Sequence, residues 1–146
     1  METIFLLTNL LVMPFWALMI AVPRWSATRR LMASPWIVAP IALCYALLVT
    51  PQLPALVAEL SALSLDSLAE ALGTPAGTTT VWAHMLALDL FAGRWIFLDG
   101  RQRQINVWLS GALLFATLMA GPLGLLLYLI VRQWSGSTPA KGAASS

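Results

Sequence analysis

The chain has 146 residues, of which 60% are hydrophobic and only 10% charged, far more apolar side chains than one small soluble core can hide. The bilayer is therefore the expected solvent, and the net charge of +2, resting on eight scattered basic residues, argues against nucleic-acid binding. A lone cysteine, Cys44, excludes an internal disulfide and a cysteine-built metal site, and inside its apolar run it reads as a small buried hydrophobe.

The fold class expected is all-α: one polytopic domain over residues 1–134 with four transmembrane helices, followed by a disordered Gly/Ala/Ser-rich tail at 135–146. The first span runs from about Thr3 to Val22. Glu2 and the length of its apolar run mark it as retained rather than a cleaved signal peptide, and Pro14 predicts a kink. A loop carrying Arg24, Arg29 and Arg30 leads to a second span over Pro35 to Thr50, stopped by Pro51 and Pro54.

From Gln52 to Thr80 the chain is acidic, with Glu59, Asp66 and Glu70, and its leucines at 53, 56, 60 and 63 predict an interfacial amphipathic segment between the second and third spans. Ser67 to Glu70 has the form of a capping box, and Gly73 followed by Pro75 supplies a stop. The third span covers Val81 to Leu98, with Thr78, Thr79 and Thr80 as candidate caps, and ends in the charged turn Asp99 to Gln104.

Asn106 is placed to cap the fourth span, Val107 to Val131, which Gly121-Pro122 should break. Its small residues Ala112, Ala116, Ala120 and Gly124 recur every fourth position, as on a helix-packing face. Five arginines in the first and third loops, against none in the second, predict by the positive-inside rule that both ends of the chain face outward.

The chemistry concentrates on the third span. There Asp89 sits near mid-bilayer, with His84 and Arg94 about 7.5 Å to either side along the axis. A centred Asp or Arg costs about 2.5–3.5 kcal/mol on insertion scales, so these groups should face protein, water or a ligand. At 100° per residue His84 and Asp89 are not stacked neighbours.

One reading makes Asp89 and Arg94 a structural buried pair with partners on other helices, and has His84 cap or bridge backbone groups. The other gives Asp89 and His84 catalytic acid and base roles, with Arg94, Trp82, Trp95 and Asn9 binding substrate. No metal-ligand spacing is present and no cofactor is implied. The remaining tryptophans, Trp25, Trp36, Trp108 and Trp134, fall near span ends as an interfacial belt, while Trp16 lies deeper.

The residues Trp82-Ala83-His84, Asp89-Leu90-Phe91-Ala92-Gly93-Arg94, Asp99-Gly100 and Gly121-Pro122-Leu123-Gly124 resemble the abscisic-acid-deficient-type family of membrane proteins. The resemblance extends loosely over the chain except the tail. It implies a role in carotenoid metabolism, for plant members the conversion of the violaxanthin epoxide into allenic neoxanthin, a non-redox isomerisation that needs a proton donor and an acceptor. Arg101-Gln102-Arg103-Gln104 departs from the plant pattern, and no segment resembles a plastid transit peptide, so a bacterial inner-membrane member is expected. The partners expected are lipid and a hydrophobic polyene, with a second copy or another membrane protein as a further candidate. The alternative is a non-catalytic scaffold or assembly factor.

Overall fold

The computed structural model describes residues 1–61 and 64–135, with 59–61 described for the backbone alone; the tail expected to be disordered lies, from residue 136 on, outside the described residues, as does Leu63. Every regular element among the described residues is helical. Four helical stretches are long and apolar enough to cross a membrane: Glu2–Ala21, Pro35–Ala58, Pro75–Gln102 and Val107–Trp134. In the second, only 6% of the apolar window is buried inside the protein, so its surface is made for lipid rather than water.

Helix α1 (Glu2–Ala21) runs unbroken through Pro14. The next turn is tied by Thr28, whose hydroxyl donates to the Val22 carbonyl at 3.0 Å. The arginine loop is not loose: Ser26–Ala33 forms α2, a short amphipathic helix that buries Thr28 and Met32 and turns Arg29 and Arg30 outward.

The second span begins as a 3₁₀ turn at Pro35–Val38, capped by Ser34, continues as α3 (Ala39–Val49) and passes through a 3₁₀ turn at Thr50–Gln52 into α4 (Leu53–Ser61). Pro51 and Pro54 were expected to end this helix. Instead each sits in the first turn of a new helical piece, where the missing N–H would have had no partner anyway. After α4 comes α5 (Leu65–Gly73), with its capping box one turn earlier than the sequence suggests: Ser64 and Ser67 exchange bonds at 3.1 and 3.2 Å.

Helix α6 (Pro75–Gln102) is longer than expected, and its cap is Thr74, whose hydroxyl accepts from Gly77 N at 3.0 Å. Thr79 and Thr80 instead donate back to the carbonyls of Pro75 and Ala76 at 2.7 and 2.8 Å, inside the helix. Gly77 is required here, because any Cβ would collide with the Ala71 carbonyl at the end of α5. α6 closes with two bonds, Gln104 N to Arg101 O at 3.1 Å and Ile105 N to Gly100 O at 2.9 Å, and Gln104 takes the left-handed position with φ 55°.

Asn106 caps α7 (Val107–Trp134), accepting from Trp108 N at 2.9 Å. As expected, α7 breaks before Gly121-Pro122: Ala120 has φ −149° and ψ 63°. The break is sharp enough that Gly124 lies against the backbone of Thr117, where a methyl would overlap it. The small-residue ladder is therefore not one packing face, since Ala112 and Ala120 are exposed and only Gly124 is buried.

The described residues form two compact units, one from residues 1–16 with those of 34–91 and one from residues 17–33 with 92–135.

Candidate functional site

The first unit holds a cavity of about 440 Å³ between α3, α4, α5 and the first three turns of α6. Its wall is mainly aliphatic, with Val49, Leu56, Leu72 and Val81, and its polar groups come from Tyr45, Gln52, Thr80 and His84. Gln52 is fixed by two donated bonds, to the Leu48 carbonyl at 2.7 Å and the Thr80 hydroxyl at 3.2 Å. The rings of His84 and Tyr45 meet with centroids 5.1 Å apart at 53°. An apolar cavity with a few convergent polar groups is the usual form of a small-ligand site.

Asn9 and Trp82, both anticipated as substrate contacts, are held together in the same unit. The Asn9 amide donates to Phe5 O at 2.7 Å, its oxygen accepts from the Trp82 indole at 3.2 Å, and the Phe5 and Trp82 rings lie 5.6 Å apart. Asn9 thus has one donor and one acceptor engaged inside a span, where such bonds join helices.

Asp89 does not line the cavity that His84 faces. Its carboxylate is half-buried, and among the described residues no hydrogen bond or ion pair reaches it. In the second unit an Arg94 Nη donates to the Ala33 carbonyl at 2.9 Å, capping the end of α2.

Trp95 stands edge-on to Tyr128, centroids 5.3 Å apart at 83°, with the Arg132 guanidinium 5.5 Å from its own centroid. Trp16 is 1% exposed, and its indole N–H finds no acceptor among the described residues. Cys44 is free and only partly buried.

Sequence reasoning missed the strongest polar cluster, which is also in the second unit. Asp99 accepts from Arg103 Nε at 2.9 Å, from Arg132 Nε at 2.8 Å and from the Tyr128 hydroxyl. The Arg103 spacing of four was readable as a helical ion pair. Nothing local announces Arg132 and Tyr128, which arrive through the fold of α7. Among the described residues no group of three His, Cys, Asp or Glu side chains is placed to hold a metal.

These features define a helical integral membrane protein with a mainly apolar cavity between its helices. Residues 3–128 match the model of the ABA DEFICIENT 4-like family, and the chain belongs to that family. It is similar to the chloroplastic protein ABA DEFICIENT 4 of Arabidopsis thaliana, 27% identical over 137 residues, covering 90% of this chain and 61% of that protein. The chain therefore spans about three fifths of that relative's length. No solved structure matches it.

Proposed function

We propose that this protein acts in carotenoid metabolism on a polyene dissolved in the membrane, as a non-redox isomerase whose ligand enters the cavity faced by His84 and Tyr45. The observation that carries this reading is the cavity itself: about 440 Å³ of mainly aliphatic wall within apolar helices, with a titratable imidazole on its lining. Family membership supports the same direction.

Opening an epoxide to an allenic alcohol removes one proton from carbon, breaks a C–O bond and returns one proton to the oxygen, so no electrons are gained or lost. Donor and acceptor serve different atoms of the polyene and need not touch each other. His84 and Asp89, five residues apart and about 140° around the helix, are assigned these two roles, with Asn9 and Trp82 as contacts for the ligand; of the four only His84 lines the cavity, so the others would meet the parts of the polyene that extend beyond it. Arg94 and Trp95 were expected to bind the ligand too, and we assign them the lesser part because both already have partners in the second unit. The proposed location is a bacterial inner membrane, which fractionation checks.

The test is pigment composition in cells lacking the gene and complemented with His84→Gln or Asp89→Asn. Normal membrane levels of each variant with loss of the conversion are expected. Full conversion by well-expressed His84→Gln would remove the cavity from the mechanism.

A scaffold is the second reading. It is favoured by the commitment of Arg94, Arg101 and Arg103 to Ala33, Pro23 and Asp99, which gives the basic groups of α6 and of the turn after it structural partners. It expects both variants to behave as the parent does.

A further inference from the structure

Ser110 and Tyr128 belong to one helix by composition, and in a straight helix their 18 positions would separate them by about 27 Å. Yet both reach Gly100 of α6: Ser110 Oγ lies 3.5 Å and the Tyr128 ring 3.8 Å from where a Gly100 Cβ would be. At the open end the same convergence holds, because Arg103, only four residues before α7 starts, donates to the Ser135 carbonyl at 3.2 Å just after α7 stops. The two halves of α7 therefore run back alongside each other, reversing at Ala120.

We propose that α7 is a re-entrant hairpin that enters and leaves the membrane at one face, so that the chain crosses the bilayer three times and Ser135 lies on the side of the arginine-bearing loops, opposite Thr3. Each arm, about 13 or 14 residues, is about 20 Å long, short of the roughly 30 Å hydrocarbon core. The tip, Leu118-Met119-Ala120-Gly121-Pro122-Leu123, has no polar side chain and stays in hydrocarbon. Pro122 brings no N–H to be orphaned at the reversal. Both ends carry an exposed tryptophan, Trp108 at 81% and Trp134 at 84%, as two anchors at one interface require.

Charge sorts independently in the same way. Arg101 donates to the Pro23 carbonyl at 2.9 Å, which brings the end of α6 to the turn after α1. With α7 returning to this face, Arg24, Arg29, Arg30, Arg101, Arg103 and Arg132 all lie at one end of the second unit with Asp99 among them, while Glu2, Asp66 and Glu70 belong to segments that a full crossing by α1 or α6 separates from that end. A fourth crossing would carry Arg132 away to the acidic face and leave Asp99 without two of its three donors. The three-crossing path satisfies the positive-inside rule more fully than the even-numbered path read from loop composition, which put both ends outward.

The test uses the full chain in a Cys44→Ser background with single cysteines at Thr3→Cys, Ala27→Cys, Asp66→Cys and Ser135→Cys, with Trp134→Cys as a second probe of the end of α7. A membrane-impermeant maleimide is applied to sealed cells and to inverted vesicles. Positions 3 and 66 should react from one side, and 27, 134 and 135 from the other. Reaction of 134 and 135 from the side of 3 and 66, or from both sides, overturns the proposal.

Discussion

The Trp82 indole donates to the amide oxygen of Asn9 at 3.2 Å, across 73 positions of sequence, and this bond joins the middle of α1 to α6. Neither side chain is held by its own helix at those atoms, so the bond is a tertiary contact between two spans.

Trp82→Phe keeps an aromatic ring beside Phe5 but removes the donor, and Asn9→Leu removes the acceptor. Each should lower stability in detergent by about 1 kcal/mol, with the double variant costing less than the sum. Additive losses in equilibrium unfolding would show that the two side chains are not coupled.

Asp99→Asn removes the charge on which two guanidinium groups and a phenol converge. A lower melting midpoint in detergent is expected. Arg132→Gln should lower it less, because Arg103 and Tyr128 still bond the carboxylate. Equal midpoints for parent and Asp99→Asn would mean that the cluster does not hold the arms of α7 to α6.

Position 124 tolerates no side chain while position 120 does. A Cβ at Gly124 would collide with the Thr117 backbone, so Gly124→Ala should sharply reduce folded yield. Ala120→Leu, on an exposed position at the tip, should leave it near the parent value in lipid. Size-exclusion profiles of both variants in one detergent decide the matter, and matching profiles would remove the contact as a constraint.

Gln104 occupies a left-handed site with φ 55° at the end of α6, a conformation that costs a non-glycine residue about 1 kcal/mol. Gln104→Gly should therefore leave stability unchanged or raise it by up to about that amount, because the side chain makes no hydrogen bond among those found. A marked loss of stability in thermal denaturation would show that the amide has a partner of its own.

What was legible in the sequence was whatever local chemistry determines. Asn106 caps α7 and Gly121-Pro122 breaks it because an Asx cap and a missing N–H act within a few residues. Four apolar stretches were visible because lipid demands length and hydropathy and little else. The register of the cap on α5 was not, since Ser64 and Ser67 are chemically alike and either can begin a helix. Pro51 and Pro54 misled because proline stops a helix only where its N–H is needed. Of the candidate site, His84, Asn9 and Trp82 were each legible as polar or aromatic groups inside a span, but the Asn9–Trp82 bond and the place of Gln52 on the wall were not, because such contacts are assembled from different helices. Asp99 was read as part of a turn, since its partners Tyr128 and Arg132 reach it only after α7 has doubled back.

The buried indole of Trp16 gives the molecule an internal optical reporter. Emission from an excited indole shifts to longer wavelength as surrounding dipoles reorient, and Trp16 is 1% exposed, with no hydrogen-bond acceptor at its indole N–H among the described residues. Trp25, Trp36, Trp108 and Trp134 stand open at helix ends. The folded protein's fluorescence is therefore a composite, with a blue-edge component belonging to Trp16. An aqueous quencher should remove the red part first and leave this blue residue, and its disappearance would follow loosening around the middle of α1 from within.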